Sequence, residues 1–168
     1  MLPRMIPAVI AASLLVASAA AQSPLDRMMI IEAAARLDTA VDAKEWAGAE
    51  ALFTETISFT YGDQTTDSMP AADLVGLWRT NLFAEKASFH LRGDHIISFD
   101  DRRSATLHSK AYAWNRLEGM EGGELYEVWG DYTYSLVKED GIWLITGFAF
   151  QPQLERGNTA LPAYRPVD

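Results

Sequence analysis

From residue 86 onward the sequence is built from four long stretches in which side chains alternate in character: 86–99, 103–117, 124–138 and 142–150. Alternation with a period of two is the signature of a strand whose faces meet different surroundings. The joints between stretches are short breakers: Asp100 and Asp101, the glycine-rich run from Glu118 to Gly123, and the hairpin pair Asp140 and Gly141. Strands joined this tightly pair antiparallel. Ahead of them lie three stretches of helical character, and helices followed by consecutive hairpins predict an α+β fold with a curved, mostly antiparallel sheet.

The first helix is announced by Ser23 as cap, Pro24 at the first helical position and Asp26 in the positive first turn. Met28, Ile31, Ala35, Leu37 and Val41 follow at helical spacing. After a joint near Lys44, Trp46, Ala49, Leu52 and Phe53 form the apolar side of a shorter second helix. Ile57, Phe59 and Tyr61 alternate with Thr56, Ser58 and Thr60 as a strand, turned by Gly62 and Asp63. The third helix is read from Ser68 to Phe83, with Pro70 near its start and Leu74, Leu77 and Trp78 on its apolar side.

Residues 1–21 read as a secretory signal peptide: Arg4, an apolar run too short to span a bilayer comfortably, then Ala19 and Ala21 as a cleavage pattern. The expected product is exported, periplasmic or secreted, with no membrane attachment after cleavage. One domain is expected over residues 22–150, followed by an extended C-terminal tail over 151–168. The chain has no cysteine, so packing alone stabilises the fold. Its formal net charge is −9, and removing the leader takes away one arginine and no acid. A surface that acidic disfavours nucleic acid and anionic lipid as partners and leaves a neutral small ligand open.

Among residues able to carry chemistry, His90 stands mid-strand, sharing a face with Ser88 and Arg92 while Phe89 and Leu91 take the other. A histidine moves protons near neutral pH when a carboxylate fixes its tautomer. Asp42 is the candidate partner. It stands in the last turn of the first helix, where the dipole and Asp38 four residues earlier both disfavour a carboxylate. Asp38 itself reads as solvated surface charge. His90, His95 and His108 fit no compact zinc spacing, so no metal is expected. Tyr126, Tyr132 and Tyr134 share one strand face, and the five tryptophans read as packing residues.

These segments, in order, resemble the SnoaL-like branch of the nuclear transport factor 2-like superfamily, with a pattern most similar to scytalone dehydratase. The stretch around Asp42, Lys44 and Trp46 is similar to that family's Tyr-Asp-Ser-Lys-Asp-Trp segment, and Tyr61 keeps the spacing of its active-site tyrosine. Met69-Pro70-Ala71 and the strand from Asp140 through Trp143 match two further segments. The resemblance implies a cone whose sheet wraps around the helices and encloses an apolar pocket. It also implies that Asp42 faces His90 there as a catalytic dyad, as in bile-acid dehydratases and a lindane dehydrochlorinase of the superfamily. Two positions depart from the pattern: Asn115 stands where the family has a second histidine, and Val41 where it has a tyrosine.

The resulting expectation is a lyase or isomerase that needs no cofactor and acts on a small apolar carbonyl compound. His90 takes a proton beside the carbonyl and Asp42 stabilises the imidazolium. Tyr61 and Asn115 stabilise the developing oxyanion, and Tyr132, near a pocket-lining asparagine of the family, completes the substrate contacts. The competing reading is a non-catalytic carrier or sensor pocket in the same cone. The resemblance further implies a homo-oligomer, dimer or trimer.

Overall fold

The computed structural model describes residues 23–166; the signal-peptide reading falls outside them. In chain order the elements are α1 (Pro24–Asp42), α2 (Trp46–Glu50), β1 (Phe53–Tyr61), β2 (Gln64–Pro70), α3 (Ala71–Asn81), β3 (Ala87–Phe99), β4 (Ser104–Arg116), β5 (Leu125–Glu139) and β6 (Ile142–Gly157). One curved, unclosed sheet runs in the order β2-β1-β6-β5-β4-β3. All pairings are antiparallel except β1 with β6, so the sheet is mixed. No described helix is long and apolar enough to cross a membrane.

α1 starts as its sequence predicts: the Ser23 hydroxyl accepts from the Leu25 amide at 3.2 Å, and Pro24 takes the first turn. Asp26 does more than complement the dipole. Its carboxylate accepts from Lys138 Nζ at 2.6 Å and Trp143 Nε1 at 2.9 Å, pinning the start of α1 to β5 and β6. The buried face is Ile30, Ala33, Ala34, Leu37, Asp38 and Val41; the predicted stripe put Met28 and Ala35 inside, and both are exposed. Apolar residues surround most of this helix, so periodicity chose poorly and contacts with the sheet decided. Lys44, at φ 62°, ends the turn in the left-handed region.

Three boundaries differ from the sequence reading, each for a physical reason. α2 stops at Glu50, and Phe53 opens β1 instead of closing the helix. β2 takes residues that the sequence reading leaves unassigned after the turn at Gly62 and Asp63, together with Ser68 to Pro70 from the expected start of the third helix. It is an edge strand exposed along nearly its whole length, so no buried alternation marks it, and Pro70, without an amide proton, ends it. β6 continues through residues 151–157, where a tail was expected. Pro152 fits within the strand because the register shifts opposite Trp129 and Gly130, a bulge that relieves proline of its ladder bond.

Beyond Gly157 the chain folds back. Leu161 is fully buried, and Lys86, also 0 % exposed, donates from Nζ to the carbonyls of Leu161 (2.9 Å), Pro162 (3.3 Å) and Tyr164 (2.8 Å). An ammonium has three donors and no acceptor, so this geometry uses its full capacity. Lys86→Met removes all three bonds and should release the segment from its dock. The measurement is amide exchange at Leu161 and Tyr164, whose N–H groups bond Asn158 and Leu161; we expect it to accelerate by about tenfold or more, the size of losing one or two net hydrogen bonds.

Candidate functional site

The inner face of the sheet, α1 and α3 line a cavity of about 510 Å³. Its walls are mainly apolar and aromatic, including Phe59, Trp78, Trp114, Phe148 and Phe150, with Pro162 and Ala163 of the folded-back segment at one side. Such a lining suits a small, largely apolar ligand oriented by a few polar groups. The charged or ionisable lysine, arginine, histidine and acidic side chains on the wall, among the described residues, are Asp38, His90 and Arg92.

α1 and β3 present these groups in matched rungs. Four residues along a helix rise about 6 Å, close to two residues along a strand. Asp38 and Asp42 can therefore meet Arg92 and His90 without strain. Asp42 Oδ1 lies 2.8 Å from His90 Nδ1, and Asp42 Oδ2 accepts the backbone amide of His90 at 2.8 Å. The Ser88 hydroxyl donates to Asp42 Oδ1 at 2.9 Å, and Lys44 Nζ donates to that hydroxyl at 2.9 Å. Lysine can only donate, so Ser88 accepts from Lys44 and gives its own proton to Asp42.

Burial pushes the Asp42 carboxyl up, but the hydrogen bonds and charge of His90, with the Ser88 bond, outweigh it and hold the pKa below the ordinary carboxylate range. An ionised Asp42 is acceptor-only, so Nδ1 of His90 carries the proton. In the neutral ring Nε2 is then an unprotonated base. His90 lines the cavity, whereas Asp42, Ser88 and Lys44 stand behind it.

The depressed pKa has a consequence for stability. The unfolded carboxyl, at about 3.9, takes up its proton at higher pH than the folded one, so the contribution is present above that value and lost as pH falls through the folded pKa. Asp42→Asn should flatten the decline of unfolding free energy below about pH 4 relative to the parent protein. Denaturant titrations between neutral pH and pH 3 measure it; parallel acid limbs would contradict the assignment.

The second rung corrects the reading of Asp38. It is 8 % exposed, not solvated, and Arg92 grips its two oxygens through Nε and Nη2. The two faces were each visible in the sequence: Ser88, His90 and Arg92 on the strand, Asp38 and Asp42 on the helix. Matching them would have found the pair.

Of the other residues expected at the site, Tyr61, Asn115 and Tyr132 all line the same cavity. Asn115 turns its amide to the Trp114 carbonyl at 3.2 Å, which leaves its side-chain oxygen as an acceptor. Tyr61 packs on Phe150 with centroids 5.6 Å apart. Burial, ahead of the smaller effect of Glu155, raises its pKa and keeps it a donor. Tyr126, directly across the ladder from Asn115, also reaches the wall and donates its hydroxyl proton to Glu155. Trp78 and Trp114, read as packing residues, line the cavity as well. His95 and His108 stay apart from His90: His108 bonds Thr133 at 3.0 Å, and no group of three or more metal-binding side chains occurs among the described residues.

Residues 22–149 match the family of the SnoaL-like domain. The chain belongs to that family. Among solved structures, this SnoaL-like chain is similar to the Kfla4162 protein of Kribbella flavida, with 21 % identity and a TM-score of 0.76 over 83 % of this chain and 98 % of that one. It is similar to a candidate scytalone dehydratase of Novosphingobium aromaticivorans, with 16 % identity and a TM-score of 0.71 over 80 % and 88 %. It is also similar to a type 2 hexachlorocyclohexane dehydrochlorinase, LinA, with 16 % identity and a TM-score of 0.62 over 82 % and 94 %. At these identities the likeness shows the fold, which is that of the nuclear transport factor 2-like proteins. No curated protein matches the sequence.

Proposed function

We propose that this SnoaL-like chain is an exported, cofactor-independent lyase or isomerase acting on a small apolar carbonyl compound. The observation that carries the reading is the 2.8 Å contact between Asp42 and His90 Nδ1, with the ring on the cavity wall. His90 Nε2 takes a proton from the carbon beside the carbonyl, and Asp42 stabilises the imidazolium. Tyr61 and Tyr132 donate to the oxygen on which charge develops, and Asn115 accepts from a substrate hydroxyl. The His90 imidazolium then returns that proton: to the hydroxyl on the adjoining carbon, so that the enolate forms a double bond as the C–O bond breaks and water leaves, or to another carbon, which moves the double bond. The one cation on the described wall is engaged by Asp38, which favours a neutral substrate over a carboxylate or phosphate. The neighbours named as a dehydratase and a dehydrochlorinase support the choice of elimination chemistry.

A non-catalytic ligand carrier is the second reading, and Asn115 favours it, because an amide cannot supply the second proton transfer that a histidine could. Export to the periplasm or medium and assembly into a dimer or trimer belong to the same proposal. The test is a screen of the protein without residues 1–21 against hydroxy-ketones and enone precursors, followed by ultraviolet absorbance. New conjugation formed by the parent protein and not by His90→Ala supports catalysis; saturable binding without any spectral change supports the carrier.

A further inference from the structure

Arg92 does more at the cavity than neutralise Asp38. In the sheet it stands beside Ala111, which stands beside Gly130, so the row from β3 to β5 has no side chain taller than a methyl group next to it. A Cβ at Gly130 would meet the Phe150 ring at 2.6 Å and the Gln151 carbonyl at 2.4 Å, so this row stays low. The guanidinium lies across it and reaches the aromatic residues of β5: its carbon is 3.8 Å from the Tyr132 ring centroid and 4.7 Å from that of Tyr134. Tyr132 is held from another side by Phe150, with centroids 4.4 Å apart. Tyr132 is 7 % exposed and lines the cavity, yet its hydroxyl is not among the sealed, unpartnered atoms, which include those of Ser109 and Tyr134. No described residue hydrogen-bonds it, so its proton is available to whatever fills the cavity.

We propose that Asp38 and Arg92 are positioning residues that hold a cation against the Tyr132 ring and so make its hydroxyl the principal donor to a ketone or enolate oxygen of the ligand. A cation on the face of a phenol stabilises the electron density that gathers on the ring as its O–H is drawn toward an anion. Burial holds Tyr132 in its neutral form and Arg92 acts in the opposite sense. The empty site therefore keeps the proton, and a developing oxyanion shares it. Asp38, by gripping Nε and Nη2, prevents Arg92 from turning into the cavity and binding the ligand as an ion pair. The inference rests on the reading that the cavity takes a carbonyl compound, and it deepens that reading by naming where the oxygen goes.

The test uses 4-nitrophenol, whose phenolate mimics an enolate oxygen and is followed by its own absorbance. The parent protein should bind it and raise its ionised fraction. Tyr132→Phe, which keeps the ring and its stacking, should weaken binding by about tenfold or more, the size expected for losing one donor to a charged acceptor. Arg92→Lys keeps the charge but loses the flat contact with the ring, and should lower the ionised fraction of bound probe while Tyr132 is still present. A purely structural ion pair would leave the bound spectrum of a folded Arg92→Lys protein unchanged. That result, unchanged affinity in Tyr132→Phe, or no binding by the parent protein would overturn the proposal. His90→Ala should still bind the probe, so loss of the base and loss of the oxygen donor are read separately.

Discussion

His90→Ala is expected to reduce turnover by about 10²–10⁴-fold, the usual contribution of a positioned general base, while leaving the fold in place. The fold survives because Asp42 keeps two donors: the Ser88 hydroxyl and the backbone amide at position 90, which alanine retains. Asp42→Asn should be nearly as damaging for a different reason. An amide placed at the carboxylate offers a donor to Nδ1, favours the tautomer with the proton on Nε2, and so removes the lone pair from the cavity. Steady-state rates on a substrate found by the screen, with circular dichroism to confirm folding, measure both. Full activity in a folded His90→Ala protein would remove the dyad from the mechanism.

Arg92→Met is expected to produce the largest loss of stability. The Arg92 side chain is 5 % exposed, and without it Asp38 remains inside the protein as an unpaired charge. Breaking one partner of a buried pair costs about 3–5 kcal/mol, which for a domain of this size lowers the melting temperature by about 10 °C. Replacing both, Asp38→Leu with Arg92→Met, should recover most of that loss, because much of the cost is the stranded charge rather than the missing attraction. Thermal denaturation of the two variants beside the parent protein tests this. A single variant within about 1 kcal/mol of the parent would mean that Asp38 is hydrated, as a solvated surface pair would be.

How much of this was legible in the sequence depends on where each signal came from. The long strands were readable because their inner faces are buried and their outer faces are not, which writes alternation into β3, β4 and β5. β2 and residues 151–157 carry no such signal, because the residues of both are mostly exposed and each segment contains a proline. The folding-back of residues 158–166 depends on Lys86, 75 residues away from Leu161, and nothing local announces it. His90 and Asp42 were paired through the family resemblance rather than by spacing. Asp38 was misread because a lone carboxylate on a helix is ordinarily solvated, while its partner was already visible on the strand face of His90.

The central claim is that His90 removes a proton from carbon beside a carbonyl, and deuterium exchange measures that step without requiring the complete reaction. The protein is incubated in deuterated water with the hydroxy-ketones that bind it, and nuclear magnetic resonance follows the protons beside the carbonyl. The account predicts enzyme-dependent loss of one such proton signal, absent in His90→Ala and in Asp42→Asn. Binding of the ketone with no exchange above the uncatalysed rate would contradict it and leave the cavity as a carrier site.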